Sequence, residues 1–178
     1  KPFEEKYSET SSYIGNPNLK PIYIDVFNLA FSSSGNKITF SPSLFYQIYK
    51  DYWQNVTYET GEQFNGVNKV ITTPVNLGKV NMYGINMSTM YKATNLLSFT
   101  SNINIYNFDQ KGTFTTVNNA NRPIVLDYND TSTDGSFSLF TQLKIPTVFD
   151  FQLNAIHTLK SVGSYSTRKA YTYASAAI

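Results

Sequence analysis

"ITFSPSLFYQIYKDYW", Ile38 to Trp53, alternates for most of its length. Ile38, Phe40, Pro42, Leu44, Tyr46 and Ile48 fall on one face, and Thr39, Ser41, Ser43, Phe45, Gln47 and Tyr49 on the other. A period of two marks an extended strand with unlike faces, because successive side chains of a strand point to opposite sides. The pattern recurs in "LLSFTSNINIYNF" (96–108), which sets Leu97, Phe99, Ile103 and Ile105 against Ser98, Thr100, Asn102 and Asn104. It recurs again in "SFSLFTQLKI" (136–145), with Phe137, Leu139, Leu143 and Ile145 opposite Ser136, Ser138, Gln142 and Lys144, and more weakly in "YGINMSTMY" (83–91). No comparable stretch fits a helical period, so the fold class is all-β.

The connections alternate in length. Strands expected near 23–32, 38–52, 79–93, 96–108, 136–146, 149–160 and 170–178 meet through short turns at 33–37, 94–95 and 146–150. The intervening connections, 54–78 and 109–135, read as long polar loops. An antiparallel up-and-down meander with short turns at one end and long loops at the other is the pattern of a transmembrane β-barrel. The polar faces agree, since they carry Ser, Thr, Asn and Gln where a water-facing sheet usually carries Lys and Glu. The apolar faces are nearly free of charge; Asp25 and Lys79 are exceptions, both near long-loop ends. Pro42 cannot donate to a ladder, so a bulge is expected there. Seven strands of this kind cannot close around a lumen, and an open edge in lipid leaves backbone groups unpaired. Residues 1–178 are therefore expected to be a partial barrel segment of about seven strands, an internal piece of a longer protein with further strands outside it. A soluble all-β sandwich is the alternative.

Composition excludes several other classes. Among 178 residues there are 14 Tyr and 13 Phe, too many large apolar side chains for a disordered chain. Charged residues make up 15% and the formal net charge is +2, with no basic cluster beyond Arg168-Lys169, so no nucleic-acid partner is indicated. Without cysteine there is neither a disulfide nor a thiolate metal site. No apolar run is long enough for a transmembrane helix.

Two motifs carry a resemblance. "GNPNLKP", comprising Gly15, Asn16, Pro17, Asn18, Leu19, Lys20 and Pro21, stiffens the chain just before the strand at 23–32. It resembles the loop that leads into a downward strand in TonB-dependent outer-membrane receptors, with Ile22 in place of the usual Glu. "NLGKVNMYGINMS" (76–88), with Asn76, Gly78, Tyr83 and Gly84, is similar to that family's next downward strand, and 135–158 to the hairpin that follows in the Bacteroidetes-type branch. The resemblance covers essentially the whole chain. It implies the carboxy-terminal part of the barrel of an energised nutrient importer in the bacterial outer membrane. The implied partners are outer-membrane lipid, the rest of the barrel, an amino-terminal plug that lies outside this chain, and TonB contacted through that plug. Surface lipoproteins or other outer-membrane subunits are further partners it allows. It implies no cofactor.

No catalytic constellation emerges. His157 is the only histidine and shares a face with Phe151 and Leu153. "DYNDTSTDG" (127–135) departs from a calcium loop, with Ser132 where glycine is required and Ser138 where the bidentate glutamate is required. Glu4 and Glu5 are adjacent in an end segment, which is not the geometry of an acid/base pair. The substrate-facing candidates are Trp53, Tyr58, Phe64, Arg122, Asp127 and Tyr128. Three roles stay open: importer wall, barrel scaffold of a larger outer-membrane complex, and soluble adhesion or glycan-binding module.

Overall fold

The alternating stretches all form strands in a computed structural model that describes residues 3–162 and 167–178. In chain order the strands are β1 (Glu4–Ser8), β2 (Ser11–Ile14), β3 (Tyr23–Ala30), β4 (Ser33–Ser34), β5 (Ile38–Lys50), β6 (Trp53–Phe64), β7 (Val67–Asn76) and β8 (Lys79–Lys92). There follow β9 (Leu97–Lys111), β10 (Thr113–Val117), β11 (Pro123–Asp127), β12 (Asp130–Ile145), β13 (Phe149–Thr158), β14 (Ser161–Val162), β15 (Thr167–Arg168) and β16 (Tyr171–Ala177). The chain divides into two compact units, one made of residues 1–25, 48–80 and 110–130, the other of 26–47, 81–109 and 131–178.

The largest sheet takes the order β16-β13-β12-β9-β8-β5-β3, with β4 also on β5, so the seven expected strands lie side by side in sequence order. β13 runs antiparallel to β12 from Ser136↔Thr158 to Ile145↔Phe149, and antiparallel to β16 from Gln152↔Ala177 to Thr158↔Tyr171. The Lys92 amide donates to the Lys37 carbonyl (2.8 Å) and the Lys144 amide to the Leu96 carbonyl (2.8 Å). These bonds gather the short turns at one end of the sheet. β5 runs unbroken through Pro42, where the sequence predicts a bulge; the break lies in the neighbouring edge instead, where β3 stops at Ala30, β4 resumes at Ser33, and between them the Phe31 amide bonds the Pro42 carbonyl at 3.0 Å. The sheet is open, with β3 and β16 as its two ends.

Its two faces differ as the alternation requires. On one face Phe27 stacks on Tyr46 and Tyr46 tilts against Tyr83, each pair with ring centroids 6.3 Å apart, while Tyr91 stacks on Phe99. Leu44, Tyr83, Ile85, Ile105, Phe137 and Leu153 on that face are all exposed. The opposite face is a hydrogen-bonded amide and hydroxyl surface, in which Asn104 donates to Asn86 and Asn102 to Ser138. Among the described residues of this unit no apolar side chain is buried. A sheet that leaves so many large apolar side chains uncovered is stable only where the surrounding solvent is itself apolar.

The other unit corrects the reading of the long connections. Residues 54–78 and 109–135 are largely strand, as is part of the end segment before the first expected strand. β6 and β7 form a hairpin paired from Trp53↔Asn76 to Phe64↔Val67, closed by Asn65 (φ 50°) and Gly66 (φ 80°). Asn-Gly in this left-handed conformation matches strand twist and is a strong short-range hairpin signal. β2 adds to β7 in parallel, an exception to the antiparallel meander, and gives the sheet order β1-β2-β7-β6. β10 and β11 form a second hairpin. Val56, Val75, Leu77 and Tyr128 make a buried cluster against which Tyr58, Phe114 and Leu126 pack. This unit thus has the water-excluding core that the other lacks.

Replacing Leu44 by Arg puts a charge on the apolar face and should cost roughly 2–4 kcal/mol, whereas Ser43→Arg, on the polar face, should cost far less. Denaturant titration of the full-length protein folded in phospholipid vesicles checks this; equal losses would contradict the assignment of the faces.

Candidate functional site

The two motifs that carry the sequence resemblance meet in space. In the first, Pro17 and Pro21 hold their predecessors extended. The Asn16 side-chain oxygen accepts from the Asn18 amide (2.9 Å), its side-chain amide donates to the Pro74 carbonyl (3.0 Å), and Gly15 N–H donates to the Phe3 carbonyl (2.7 Å). In the second, the Asn76 side chain treats Lys20 as a strand neighbour. Its oxygen accepts from the Lys20 amide (2.8 Å), and its Nδ2 donates to the Lys20 carbonyl (3.0 Å) and to the Asp51 carbonyl (2.6 Å). Asparagine suits this position because its side chain reproduces one peptide group, donor and acceptor together. One residue therefore ties the approach to β3, the corner between β5 and β6, and the end of β7.

Glycines let the neighbouring corners close up. Gly78 has φ 97°, and a Cβ there would lie 2.7 Å from the Lys111 carbonyl oxygen; a Cβ on Gly112 would collide with the Leu77 carbonyl. The freed space is filled by backbone bonds: Tyr52 N–H to Gly78 O (3.0 Å), Leu77 N–H to Tyr52 O (2.7 Å) and Tyr128 N–H to Gly112 O (2.8 Å). Of the remaining motif residues, Tyr83 belongs to the apolar face, and Gly84 is where the Ile105–Tyr106 backbone approaches too closely for any side chain.

The substrate-facing candidates separate. Tyr58 pairs with Phe114 (ring centroids 5.6 Å apart) and lines an open cleft of about 520 Å³ with Thr57, Glu59, Val70, Asn118, Ile124 and Leu126. The lining of that cleft includes none of Trp53, Phe64, Arg122, Asp127 or Tyr128. Trp53 and Phe64 are exposed at the two ends of β6. Arg122 closes the β10–β11 turn through its backbone amide on Asn118 Oδ1 (2.9 Å). Asp127 accepts a bond from the Thr113 hydroxyl (2.9 Å). Tyr128, 2% exposed, is a core residue and offers a ligand no surface.

Sequence reasoning missed the polar cluster beside β6. The Glu62 carboxylate accepts from Lys69 Nζ (3.0 Å) and Asn119 Nδ2 (2.7 Å), while Lys6 pairs with Glu9 (2.7 Å). The Asn65-Gly66 pair would have revealed the hairpin that brings Glu62 and Lys69 together. His157 shares a hydrogen bond with the Thr172 hydroxyl (2.8 Å). The calcium-like stretch lies in strands except at Tyr128 and Asn129, and among the described residues no group of three His, Cys, Asp or Glu side chains converges as a metal site. The site holds backbone in place and presents a polar surface with paired charges.

Two outcomes follow. Asn76→Ala removes three hydrogen bonds to backbone and should destabilise the protein by roughly 1–3 kcal/mol, with Asn76→Asp no rescue because it loses both donations; thermal melts of the folded protein measure this. Lys69, then Asn119, holds the Glu62 carboxyl below the usual glutamate range. A depressed carboxylate contributes stability above its unfolded pKa and loses it as pH falls through the folded value. Acidification should therefore loosen the contact between Glu62 and Asn119, and Glu62→Gln should abolish that pH dependence in amide exchange at Asn119.

The profile described as "Outer membrane protein beta-barrel family" matches residues 1–178. A search of curated proteins returns no match.

Proposed function

We propose, from the premise that the chain belongs to the outer membrane protein beta-barrel family, that it forms part of the wall of a TonB-dependent importer of a nutrient. Membership itself makes this an outer-membrane β-barrel protein of bacteria and removes the soluble-module alternative. The step from barrel to importer rests chiefly on one observation. The two stretches that resemble TonB-dependent receptors are the same two that Asn76 binds together, so the resembling residues form one physical device.

The neutral polar face supports the same reading. The Asn102–Ser138 and Asn104–Asn86 pairs make this part of the wall polar and uncharged, which suits a lumen filled by a plug and traversed by solute. The chain takes no catalytic part in this proposal. Energy reaches the barrel through TonB, which acts on a plug carried elsewhere in the protein.

Growth of the native host on limiting nutrients tests the proposal. Deleting the full-length protein and deleting TonB should impair growth on the same nutrient, with no additional loss in the double deletion. A defect that persists independently of TonB, or a purely structural envelope defect, would favour the scaffold role.

A further inference from the structure

In the sheet β1-β2-β7-β6, β6 is an end strand. The cleft of about 520 Å³ beside it is lined by Thr57, Tyr58 and Glu59, three consecutive residues of that strand. Successive side chains of a strand leave it on opposite faces, so a cleft that all three line runs along the edge of β6 and not over one face. An end strand presents backbone N–H and C=O groups that no neighbouring strand takes. At Thr60 the edge is already used, since its carbonyl accepts the Asn119 amide (2.9 Å). The Asn118 side chain covers the next residue, Gly61 (φ 82°), where a Cβ would lie 3.0 Å from the Asn118 amide nitrogen. The cleft therefore opens where the β10–β11 turn stops pairing with β6.

The two sides of this edge differ in chemistry. On the Tyr58 side, apolar surface comes from the Tyr58 ring, packed on Phe114 with centroids 5.6 Å apart, and from Ile124 and Leu126 of β11. On the Glu59 side stands Val70, the partner of Glu59 in the β6–β7 ladder. Glu59 is the one charged residue of the lining. Among the described residues its carboxylate has neither an ion pair nor a hydrogen bond, whereas Glu62 holds Lys69 (3.0 Å), Glu9 holds Lys6 (2.7 Å) and Asp25 holds Lys50 (2.7 Å).

We infer that the open edge of β6 binds an extended peptide as an added strand, and that this peptide alternates apolar and basic residues. A bound strand supplies the backbone donors and acceptors that a sheet edge lacks, with pockets for alternate side chains giving specificity. It has the same period of two as β6. Its residues on the Tyr58 side meet apolar surface, and those on the Glu59 side meet an unpaired carboxylate, which opposite charge across a strand pair stabilises. A small apolar molecule would fill the Tyr58 side and leave both the edge and Glu59 without partners. The inference rests on this cleft alone and stands apart from the import reading.

Methyl resonances of Val70, Ile124 and Leu126, followed in the full-length protein in phosphatidylcholine nanodiscs, test it. The probes are acetyl-Leu-Lys-Leu-Lys-amide, acetyl-Leu-Glu-Leu-Glu-amide, and the lysine peptide N-methylated at every internal backbone nitrogen. The lysine peptide should shift these methyls saturably. The glutamate peptide should bind about 5-fold more weakly or worse, and high salt should narrow that gap. Glu59→Gln should weaken the lysine peptide roughly 3- to 5-fold, the scale of one exposed ion pair, and bring the two peptides closer together. Glu5→Gln, on β1, should change nothing. The N-methylated peptide should leave the methyls unmoved. Equal binding of the N-methylated peptide would overturn the edge pairing. Equal binding of the lysine and glutamate peptides to wild type, or an undiminished preference in Glu59→Gln, would overturn the role of Glu59. No shift with any probe would overturn the site. If Glu59→Gln fails to fold, the discrimination among the three probes by wild type decides alone.

Discussion

In hydrocarbon, every backbone N–H and C=O must be paired by another strand, and every side chain that faces the lipid must be apolar. The large sheet meets the first condition along the described part of β5, β8, β9, β12 and β13 and the second in the main, with Thr141 and His157 as polar exceptions on the apolar face. Each of these strands has a neighbour on both sides, and each presents one apolar and one polar face. Aromatic pairs such as Phe27–Tyr46 and Tyr91–Phe99 then become surface features that lipid covers. The absence of any buried apolar side chain among the described residues of that unit follows from the same condition, because there the solvent replaces the core.

The unit built from the long connections obeys the ordinary rule for water. Val56, Val75, Leu77 and Tyr128 are buried together, and polar residues pair around them. The change of regime along the chain is marked by Asn76, Gly78 and Gly112, whose close contacts and hydrogen bonds define the strand corners.

Period two made four of the long strands, β5, β8, β9 and β12, legible in the sequence, because a half-buried strand and a lipid-facing strand write the same alternation. The hairpins were hidden by composition: "TYETGEQFNGVNKV" is rich enough in Thr, Glu, Asn and Gly to read as loop, although Asn65-Gly66 announces a turn. Tyr128 looked like a loop aromatic until Gly112 and Leu77 were seen to close over the same corner. The two motifs were visible as strings, but their union through Asn76 and Lys20 spans 56 residues and depends on a folded corner that local pattern does not encode. Parity did expose Lys79 as an outward charge.

The central claim is that one face of the large sheet lies against lipid and the other does not. Spin labels placed singly along residues 83–88 of the full-length protein in bilayers test it most directly, by comparing collisions with oxygen, which partitions into lipid, and with a water-soluble nickel chelate. The account predicts high oxygen accessibility at Tyr83, Ile85 and Met87 and low oxygen accessibility at Gly84, Asn86 and Ser88. A profile with no alternation, or with the two sets exchanged, would contradict it.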